Sequence, residues 1–409
     1  MAEFRWHKMK TNDSIKPSPR FAASGWADNS GNLWLFGGKN ILKTNESERI
    51  QMLNDTWKFN PKTMRWYHVL STNTSKLPHN LDGLMSCFCA GLGFSFGTRF
   101  HENKSFHELW TYNISSNLWN LKELPKEIKS GYDHCFALSC NNNLWATSLL
   151  CSNSTSLQMW TFTVRMDMWV SKSIPSTEIF RNLILKNVSK SNMNLIWTSS
   201  LEDTVYVYHW SLGKPNNSVL LTITHTNTTI THISSHGPAC RIGSITWIDS
   251  TSNLYVLGGK KCDSTQLYSD HWMFNVKDYN WISLNINKPN PKQRSYACSW
   301  QVGSSLWVYG GQFQNNKGVT KVLSDIWLGK PSKHVVPVPV IPNHQLPGDT
   351  LGLSMVDKLI ISGVVLLVVM AVMVRLCYKR ELNQMLMQLR RRRVPYHQLS
   401  QEGDKGSRL

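Results

Sequence analysis

Two groups of histidines are the residues in this 409-residue chain whose types and spacing are closest to those of a metal site. His225, His232 and His236 lie seven and four positions apart, and His101 precedes His107 by six. Zinc takes its ligands from Cys, His and carboxylates. No Cys or carboxylate completes either group of histidines at a recognisable spacing. We therefore interpret these histidines as polar strand or loop residues, and we predict no metal site and no cofactor.

Signatures of catalysis are also missing from the sequence. It contains no Walker-type phosphate loop and no His-Glu-x-x-His zinc motif. The sequence therefore favours a binding module over an enzyme. An enzyme without an identifiable catalytic set is the third of the functions considered.

Nine cysteines can form disulfides or remain as buried thiols. Eight of them precede a long apolar run near the C-terminus, and an even number is compatible with disulfides, although sequence alone does not fix their connectivity. Two pairings are local candidates: Cys240 with Cys262, and Cys135 or Cys140 with Cys151. Free, buried cysteine is the alternative in a chain with a large core. The full set is Cys87, Cys89, Cys135, Cys140, Cys151, Cys240, Cys262, Cys298 and Cys377.

Ten Asn-x-Ser/Thr sequons lie ahead of the apolar run and none follows it. Because N-glycosylation happens in the secretory pathway, ten sequons in mostly loop-like segments favour passage of this part of the chain through that pathway. The alternative is chance in a sequence rich in Asn, Ser and Thr. The glycosylation candidates are Asn12, Asn45, Asn54, Asn73, Asn103, Asn113, Asn153, Asn187, Asn216 and Asn227.

The elements that position these residues are organised by a repeated strand and turn. The run Leu-Trp-Leu-Phe at residues 33–36 is too short for a helix and indicates a buried strand. Gly37 and Gly38 follow it and permit a turn or a close backbone approach that a Cβ would block. An Asp-x-Trp that ends at Trp57, and a second tryptophan nine positions later at Trp66, complete the unit.

The same unit returns along the chain with a period near 50 residues, at separations of 53, 50, 50, 62 and 55 between the first tryptophans. Those first tryptophans are Trp57, Trp110, Trp160, Trp210, Trp272 and Trp327, and the second ones are Trp66, Trp119, Trp169 and Trp281. Glycine pairs recur at Gly258, Gly259, Gly310 and Gly311, and an arginine precedes each of three pairs by 16 or 17 positions: Arg20, Arg241 and Arg294. Their periodic placement favours structural roles over an aromatic ligand cage.

The set of Arg, Gly-Gly, Asp-x-Trp and second Trp resembles kelch repeats over about residues 1–330. In the second, third and fourth units the glycine pair is degraded, to Gly97-Thr98, Thr147-Ser148 and Ser199-Ser200. The resemblance implies an all-β, six-bladed kelch β-propeller with the galactose-oxidase-like superfamily fold. Kelch copper oxidases of that type have seven blades and a Tyr/His copper set, which cannot be assigned here. A sialidase Asp box is missing as well, although Asp28 to Trp34 is superficially similar to one.

The last unit lacks its second tryptophan, because position 336 is a valine in a proline-rich run. The chain begins instead with Phe-Arg-Trp-His-Lys at residues 4–8, which is similar to Met-Arg-Trp-Tyr-His at residues 64–68. We predict that an N-terminal strand containing Trp6 completes the last blade and removes an open sheet edge. The alternative is that Trp6 belongs to an unrelated tail.

Domain boundaries follow from the repeats and from the composition of the C-terminal part. The propeller is predicted at 1–330, with blades at about 20–70, 83–124, 131–174, 180–225, 237–286 and 293–330 plus 4–10. Repeated prolines indicate an extended stalk at 331–357. The uncharged run 359–374 predicts a single transmembrane helix over 358–378, because about 20 apolar residues span a bilayer. Residues 379–409 form a basic tail.

The net charge of +18 bears on topology and partners. The tail after residue 374 has nine Lys/Arg and three Asp/Glu, so the positive-inside rule predicts a cytoplasmic tail and an external propeller. This topology requires a signal peptide, and no apolar leader opens the sequence. The remaining positive charge indicates either acidic protein or glycan partners or a solvated surface with dispersed lysines. Nucleic acid is not an expected partner.

Short motifs in the tail suggest lipid attachment and sorting. Cys377 lies at the predicted membrane boundary and is a lipidation candidate, with an unmodified cysteine as the alternative. The basic segment 379–393 has the composition of a helix that lies on an anionic leaflet. Tyr396 and Leu399 form a candidate tyrosine-based sorting signal that a sorting adaptor would bind, a pattern that is also common by chance.

The sequence therefore predicts a single-pass type I membrane glycoprotein, at the plasma membrane, whose extracellular propeller binds a protein or glycan in an adhesion or receptor role. The alternative is a kelch adaptor anchored to an internal membrane with a cytosolic propeller. No BTB or F-box-like segment accompanies the repeats, which weakens the adaptor hypothesis. The architecture implies an extracellular ligand, the lipid bilayer and a sorting adaptor as partners.

Overall fold

The computed structural model describes residues 3–331 with internal gaps. The gaps are 12–14, 44–46, 72–76, 103, 131–133, 142–145, 153–156, 175–195, 202–203, 210–217, 225–227, 234–235, 250–251, 263 and 315–318. The predicted stalk beyond residue 331, the predicted transmembrane helix and the tail lie outside the described residues. Inside them the chain is almost entirely β-strand, with one short helix, α1 (Lys126–Ser130).

The strands form four-stranded antiparallel units that follow one another along the chain, after an N-terminal strand β1 (Glu3–Met9). Unit 1 contains β2 (Ser24–Ala27), β3 (Leu33–Lys43), β4 (Glu48–Asn60) and β5 (Arg65–Val69). Unit 2 contains β6 (Asp82–Cys89), β7 (Leu92–His101), β8 (Lys104–Asn113) and β9 (Leu118–Lys122). Unit 3 contains β10 (His134–Asn141), β11 (Ala146–Ser152), β12 (Leu157–Thr163) and β13 (Met168–Ile174). Unit 4 contains β14 (Ile196–Leu201), β15 (Thr204–His209), β16 (Ser218–Ile223) and β17 (Thr228–Ile233).

Units 5 and 6 share one eight-stranded sheet in the order β19-β20-β22-β23-β1-β28-β25-β24. Unit 5 contains β19 (Ile245–Ile248), β20 (Leu254–Leu257), β22 (His271–Asn275) and β23 (Asn280–Asn287). Unit 6 contains β24 (Cys298–Val302), β25 (Ser305–Tyr309), β28 (Ile326–Pro331) and the N-terminal β1. Two short ladders complete the fold: β18 (Arg241–Ile242) with β21 (Lys260–Lys261), and β26 (Gln312–Gln314) with β27 (Thr320–Val322).

Successive side chains of β3 pack against different neighbouring units. Leu33 and Leu35 share a core cluster with aromatic residues of unit 6, whereas Trp34 and Phe36 share one with tryptophans of unit 2. Because side chains alternate between the two faces of a strand, a strand covered on both faces is a continuous apolar run. The buried strand predicted at 33–36 is confirmed, and its lack of polar alternation is explained by burial between two sheets.

The N-terminal strand closes the last unit, as the sequence predicted. β1 pairs antiparallel with β28, and Trp6 lies opposite Gly329. A Cβ at Gly329 would overlap the rings of Phe4 and Trp6, so glycine is required where the closing aromatics lie on the sheet. Phe4 and Trp6 are buried, and β1 also pairs in parallel with β23 of unit 5. The two ends of the described chain are therefore held in one sheet.

The second tryptophan of a unit packs against the preceding unit. Trp66 lies 5.1 Å from Tyr309 of unit 6, and Trp119 lies 4.6 Å from Phe36 of unit 1, both between ring centroids. Trp6 takes this place in unit 6, because its indole N–H donates to a side chain of unit 5. Large flat side chains with one polar N–H suit such a site, since they bury apolar area and still find a hydrogen-bond partner.

The buried motif arginines are expected to carry a large share of the stability of the fold. We expect Arg294→Gln to destabilise the protein by about 3–5 kcal/mol, because it removes a buried guanidinium and leaves the half-buried carboxylate of Asp325 without its cation. The control Arg49→Gln removes an exposed arginine and should change the stability by less than about 0.5 kcal/mol. Denaturant unfolding of both variants checks this, and equal losses would contradict a structural role for Arg294.

Candidate binding face

The predicted Arg, Gly-Gly and Asp-x-Trp residues meet in one buried cluster. In unit 1, Arg20 donates two hydrogen bonds to the carboxylate of Asp55, at 2.7 and 2.8 Å, and one to the carbonyl of Gly37 at 3.0 Å. The indole of Trp57 donates to the same carboxylate at 2.7 Å. The cluster recurs as Arg241, Gly258, Asp270 and Trp272, and again as Arg294, Gly310, Asp325 and Trp327.

In each cluster the carboxylate is engaged by the arginine. Burial raises the pKa of Asp55, but the hydrogen bonds and charge of Arg20 outweigh it, so the pKa lies below its ordinary value. The same balance lowers the pKa of Asp270 and Asp325. Each carboxylate is therefore an ionised partner of a buried guanidinium, as a structural role requires.

Unit 2 replaces the cluster with residues that the sequence analysis did not recognise. Glu108 stands where the other units have Asp, and it accepts from Trp110 at 2.8 Å. The cation comes from Arg99 on β7, whose Nε lies 2.8 Å from Glu108, and His79 lies 3.0 Å from the same carboxylate. The signal for this substitution was Glu-x-Trp in place of Asp-x-Trp.

The glycine pairs and most of the predicted tryptophans have the expected environment. The φ angles of Gly37 and Gly38 are 63° and 93°, and a Cβ at Gly38 would lie 2.9 Å from the carbonyl oxygen of Phe21. The same positive φ recurs at Gly258, Gly259, Gly310 and Gly311. Trp57, Trp66, Trp110, Trp119, Trp160, Trp281 and Trp327 are buried, Trp169 and Trp272 are half-buried, and Trp210 lies outside the described residues.

The stretch from Asp28 to Trp34 forms a hairpin turn. The carboxylate of Asp28 accepts from the backbone N–H groups of Ser30 and Asn32 and from the indole of Trp34. Asp249 makes the equivalent bonds to Asn253 and Tyr255 in unit 5. This aspartate therefore fixes the turn between the first two strands of a unit.

A pocket of about 530 Å³ opens where the inner strands of units 1, 2, 5 and 6 begin. Four positions around it have a positive φ: Ala22 at 52°, Gly83 at 61°, Gly243 at 61° and Tyr296 at 56°. Backbone hydrogen bonds connect three of them, from Ala22 N to Tyr296 O and from Tyr296 N to Gly243 O. Left-handed Ala and Tyr residues are uncommon, and three of these positions lie two residues after a motif arginine, so the conformation recurs with the repeat.

The pocket carries an ion pair and a phenol on its wall. Lys39 of unit 1 lies 2.6 Å from Asp82 of unit 2. Burial raises the pKa of Tyr296, and the negative charge of Asp82 raises it further, so the phenol remains protonated and able to donate. The pocket therefore offers a cation, a carboxylate and a hydroxyl to a ligand.

Three hairpins extend from the same face, since each follows the turn that ends the second strand of its unit. They are the outer parts of β3–β4 and β7–β8 and the ladder β26–β27, in units 1, 2 and 6. These units are neighbours, because β2 contacts both β24 and β6. Leu42, Ile50, Phe100, Phe106 and Val319 are exposed on or beside these hairpins. We call this surface, with the pocket beside it, the hairpin face.

The hairpin face is basic. The segments 39–54, 98–107 and 312–323 contain seven Lys/Arg and three Glu. Arg49, Lys104 and Lys321 are exposed, one in each segment. A surface with apolar side chains among cations is suited to an acidic partner with apolar side chains of its own.

Three pairs of cysteines are bonded. Cys240–Cys262 and Cys135–Cys151 are pairings that the sequence proposed. Cys87–Cys140 was not anticipated, because it joins unit 2 to unit 3 across 53 residues. Cys89 and Cys298 are buried thiols, and burial raises the pKa of Cys89 to about 12.

Two of the ten sequons fall on described residues. Asn54 is exposed on β4. Asn113 is half-buried, and its side chain accepts from the backbone N–H groups of Ser115 and Ser116. Asn60 and Asn275 make the same turn without a sequon, so Asn113 has a structural reason to be asparagine. The sequons at Asn12, Asn45, Asn73, Asn103, Asn153, Asn187, Asn216 and Asn227 lie outside the described residues.

The histidines do not form a metal site among the residues that have been described, where no group of three or more His, Cys, Asp or Glu is arranged to hold an ion. His225 lies outside those residues. His107 stacks on Phe96, whereas His101 and His236 are exposed. Within the part of the chain that the structure covers, no helix is long and apolar enough to cross a membrane. Cys377, Tyr396 and Leu399 lie beyond that part.

Comparisons with known proteins agree with this geometry. A family model described as the KLHDC2/KLHL20/DRC7 Kelch-repeats domain matches residues 203–369. No curated protein matches the sequence. The solved structure titled "Structure of YjhT" superposes with a TM-score of 0.51 and 12% identity, over 76% of this chain and 95% of that chain. A fungal alcohol oxidase of the AA5 family in complex with copper has a TM-score of 0.44 and 12% identity, over 76% of this chain and 62% of its own.

The match to the Kelch-repeats model over residues 203–369 and the recurring Arg, Gly-Gly and Asp-x-Trp clusters support a kelch-repeat β-propeller. At 12% identity, the similarity to the solved structure of YjhT shows a shared fold and nothing about function.

The bonded cysteines make a countable prediction. When the full chain is unfolded without a reductant, an alkylating reagent should label only the unpaired thiols, Cys89, Cys298 and Cys377, if Cys377 carries no lipid. After reduction all nine cysteines should be labelled. Intact-mass measurement reads the number directly, and nine labels without reduction would show that the three pairs are thiols in the mature protein.

Proposed function

We propose that the propeller is a protein-binding module that holds an acidic polypeptide segment on the hairpin face. The carrying observation is the presence of three neighbouring extended hairpins around one pocket. Propeller blades without such extensions end in short turns, so the extensions in units 1, 2 and 6 add surface that the fold does not need. Exposed loops on a rigid scaffold are the usual place for binding residues.

The chemistry of the face supports a protein rather than a small molecule. The exposed apolar side chains are distributed over separate hairpins instead of lining one enclosed cavity. Exposed Phe100 and Phe106 supply the aromatic area that is enriched in protein interfaces. Arg49, Lys104 and Lys321 would attract acidic residues and orient them. The hairpins also carry polar side chains suited to a sugar, so a glycan is the second candidate ligand.

We further propose that these units are the complete set of six blades and that the propeller is external. The ring would be closed by β1 and followed by the stalk at 331–357, a membrane helix at 358–378 and a cytoplasmic tail. The ten sequons, the basic tail and the bonded cysteines support this topology, since disulfides persist in oxidising compartments. A lipid attached to Cys377 would anchor the tail to the membrane leaflet. Tyr396 and Leu399 would bind a sorting adaptor.

The alternative is a cytosolic kelch adaptor on an internal membrane. The Cys87–Cys140, Cys135–Cys151 and Cys240–Cys262 pairs oppose it, because cytosolic thiols are kept reduced. An enzyme has the least support. The carboxylates of the repeat clusters are engaged by arginines, and Glu108 is engaged by Arg99.

The binding proposal is tested by panning a random peptide library on cells that display the full chain. We expect enrichment of peptides that combine Asp or Glu with apolar residues. The triple variant Arg49→Glu, Lys104→Glu, Lys321→Glu should weaken the selected peptides by about tenfold or more, since three charge contacts become repulsive. Because the sequons Asn45 and Asn103 fall within these hairpins, panning is repeated after N-glycosidase treatment.

A matched control places the same charge changes on the opposite face. Lys62, Arg165 and Lys277 are exposed in or beside the turns between the third and fourth strands of units 1, 3 and 5. Reversing them should leave the affinity of the selected peptides within about twofold. Equal losses in both triple variants, or a selection without acidic peptides, would contradict binding at the hairpin face.

The topology proposal makes a separate prediction. Expressed with an added signal peptide, the full chain should lose mass on N-glycosidase treatment, because sequons such as Asn54 would have met the glycosylation machinery. A C-terminal epitope should be detected only after the cells are permeabilised. An unshifted band together with an epitope exposed on intact cells would overturn the external propeller.

A further inference from the structure

The closing tryptophan belongs to a series of hydrogen bonds between neighbouring units. Trp119 of unit 2 donates to the hydroxyl of Thr56 in unit 1 at 3.3 Å. Trp6 donates to Nε2 of His271 in unit 5 at 2.9 Å. In both cases the indole N–H of an outer strand reaches back to the third strand of the preceding unit.

The two acceptors occupy the same place in the repeat. Thr56 and His271 are each the middle residue of an Asp-x-Trp. Among the side chains that the structure describes, this place is Leu109 in unit 2, Met159 in unit 3 and Ile326 in unit 6. Within this described set the titratable side chain is His271, at the contact that receives the N-terminal strand. Elsewhere, His209 directly precedes Trp210 in the sequence, and Trp281 donates to the hydroxyl of Tyr208.

The hydrogen bonds of His271 define its protonation state. The Nδ1 atom lies 3.1 Å from the carbonyl oxygen of Ser269, and a carbonyl can only accept. Nδ1 therefore carries the proton, and the lone pair of Nε2 accepts from Trp6. A second proton on Nε2 would place two N–H donors against each other and break this bond.

The groups around the imidazole act in both directions, and burial outweighs those that favour its charged form. Asp270 is adjacent, but its carboxylate is held by Arg241 and Trp272. Tyr268, Lys292 and Arg294 line the small cavity beside Trp6 and His271, and Arg294 is itself paired with Asp325. The closing strand contributes Phe4 and Trp6. Burial lowers the pKa of His271 from 6.5 to about 4, although the carbonyl of Ser269 and the charge of Asp270 raise it; the charge of Arg241 makes a smaller lowering contribution.

A proton can still reach the imidazole. The cavity beside Trp6 and His271 has a volume of about 20 Å³, which is room for one water molecule. β1 pairs with β23 of unit 5 through its first residues, Glu3 to Arg5, next to this contact.

We propose that His271 is an acid-sensitive latch, whose protonation releases the N-terminal strand β1 and opens the propeller between units 5 and 6. In the released state the imidazolium is hydrated and Trp6 is withdrawn from the core. Opening exposes the edges of β23 and β28 together. This device goes beyond the proposed ligand binding and does not depend on it.

The direction of the effect follows from proton linkage. The closed form holds His271 neutral, so it binds fewer protons than the open form, in which the histidine titrates near 6.5. Closure is therefore at full strength above about pH 6.5 and weakens as the pH falls toward about 4. Between about pH 7.5 and about pH 5 the population of the open form should rise about 30-fold.

Hydrogen exchange of the full chain at these two pH values tests the latch. After correction for the intrinsic exchange rate, protection of the amides of β1 should fall about 30-fold at the lower pH. Protection of β3 in unit 1 should change by less than about threefold, because no titratable group faces it in this way.

The decisive variant is His271→Thr, which installs the residue that unit 1 uses at the same place. It keeps a hydroxyl acceptor for Trp6 and removes the titration, so β1 should lose its pH dependence while remaining protected. His271→Gln gives a second non-titrating acceptor if the threonine variant fails to fold. His101→Gln removes an exposed histidine and should behave like the parent. An equal acid response in the parent and the non-titrating variants, or no response of β1 in the parent, would overturn the proposal.

Discussion

The fold depends on the burial of an arginine at the start of its well-formed repeats. Arg20 and Arg241 are each 1% exposed, and a buried guanidinium is tolerated only when its charge and its donors are matched. The matching carboxylate comes from the third strand and the matching carbonyl from the end of the second. One side chain therefore determines where the inner part of the second strand ends, how the glycine pair turns and where the inner part of the third strand begins.

This constraint also decides where new surface can be added. The chain between the glycine pair and the Asp-x-Trp lies outside the cluster, so its length is free once its two ends are fixed. β3 and β4 use that freedom for an extension to Lys43 and Glu48, and β7 and β8 do the same around residue 103. In unit 5 the corresponding segment is a shorter loop, which the Cys240–Cys262 disulfide holds. Function can vary there without disturbing the core.

Features with a fixed period were predictable from the sequence. The strand at 33–36, the glycine pairs and the closing role of Trp6 follow from one pattern that repeats about every 50 residues. Features that arise from contacts between units were not predictable in this way. The Cys87–Cys140 bond joins positions in different repeats, and the pocket gathers Lys39, Asp82 and Tyr296 from three units. The role of Glu108 was not predicted, because unit 2 has Glu at the position of the motif Asp and pairs it with Arg99 on β7.

In a propeller that is closed by its N-terminal strand, one contact differs from the others. There, β1 pairs with β28 from the other end of the propeller sequence instead of with a strand that precedes it directly. In the other units the third and fourth strands follow each other in the chain. An outer strand that separates from its neighbour is therefore still held by the turn that connects the two. β1 has no such turn on the side of β28, and only pairing and side-chain packing hold it. The cost of bringing together segments more than 300 residues apart is largely entropic, so we expect this contact to open first when its interactions weaken. A histidine at the acceptor place of that contact makes its strength depend on pH, whereas Thr56 at the corresponding place in unit 1 does not.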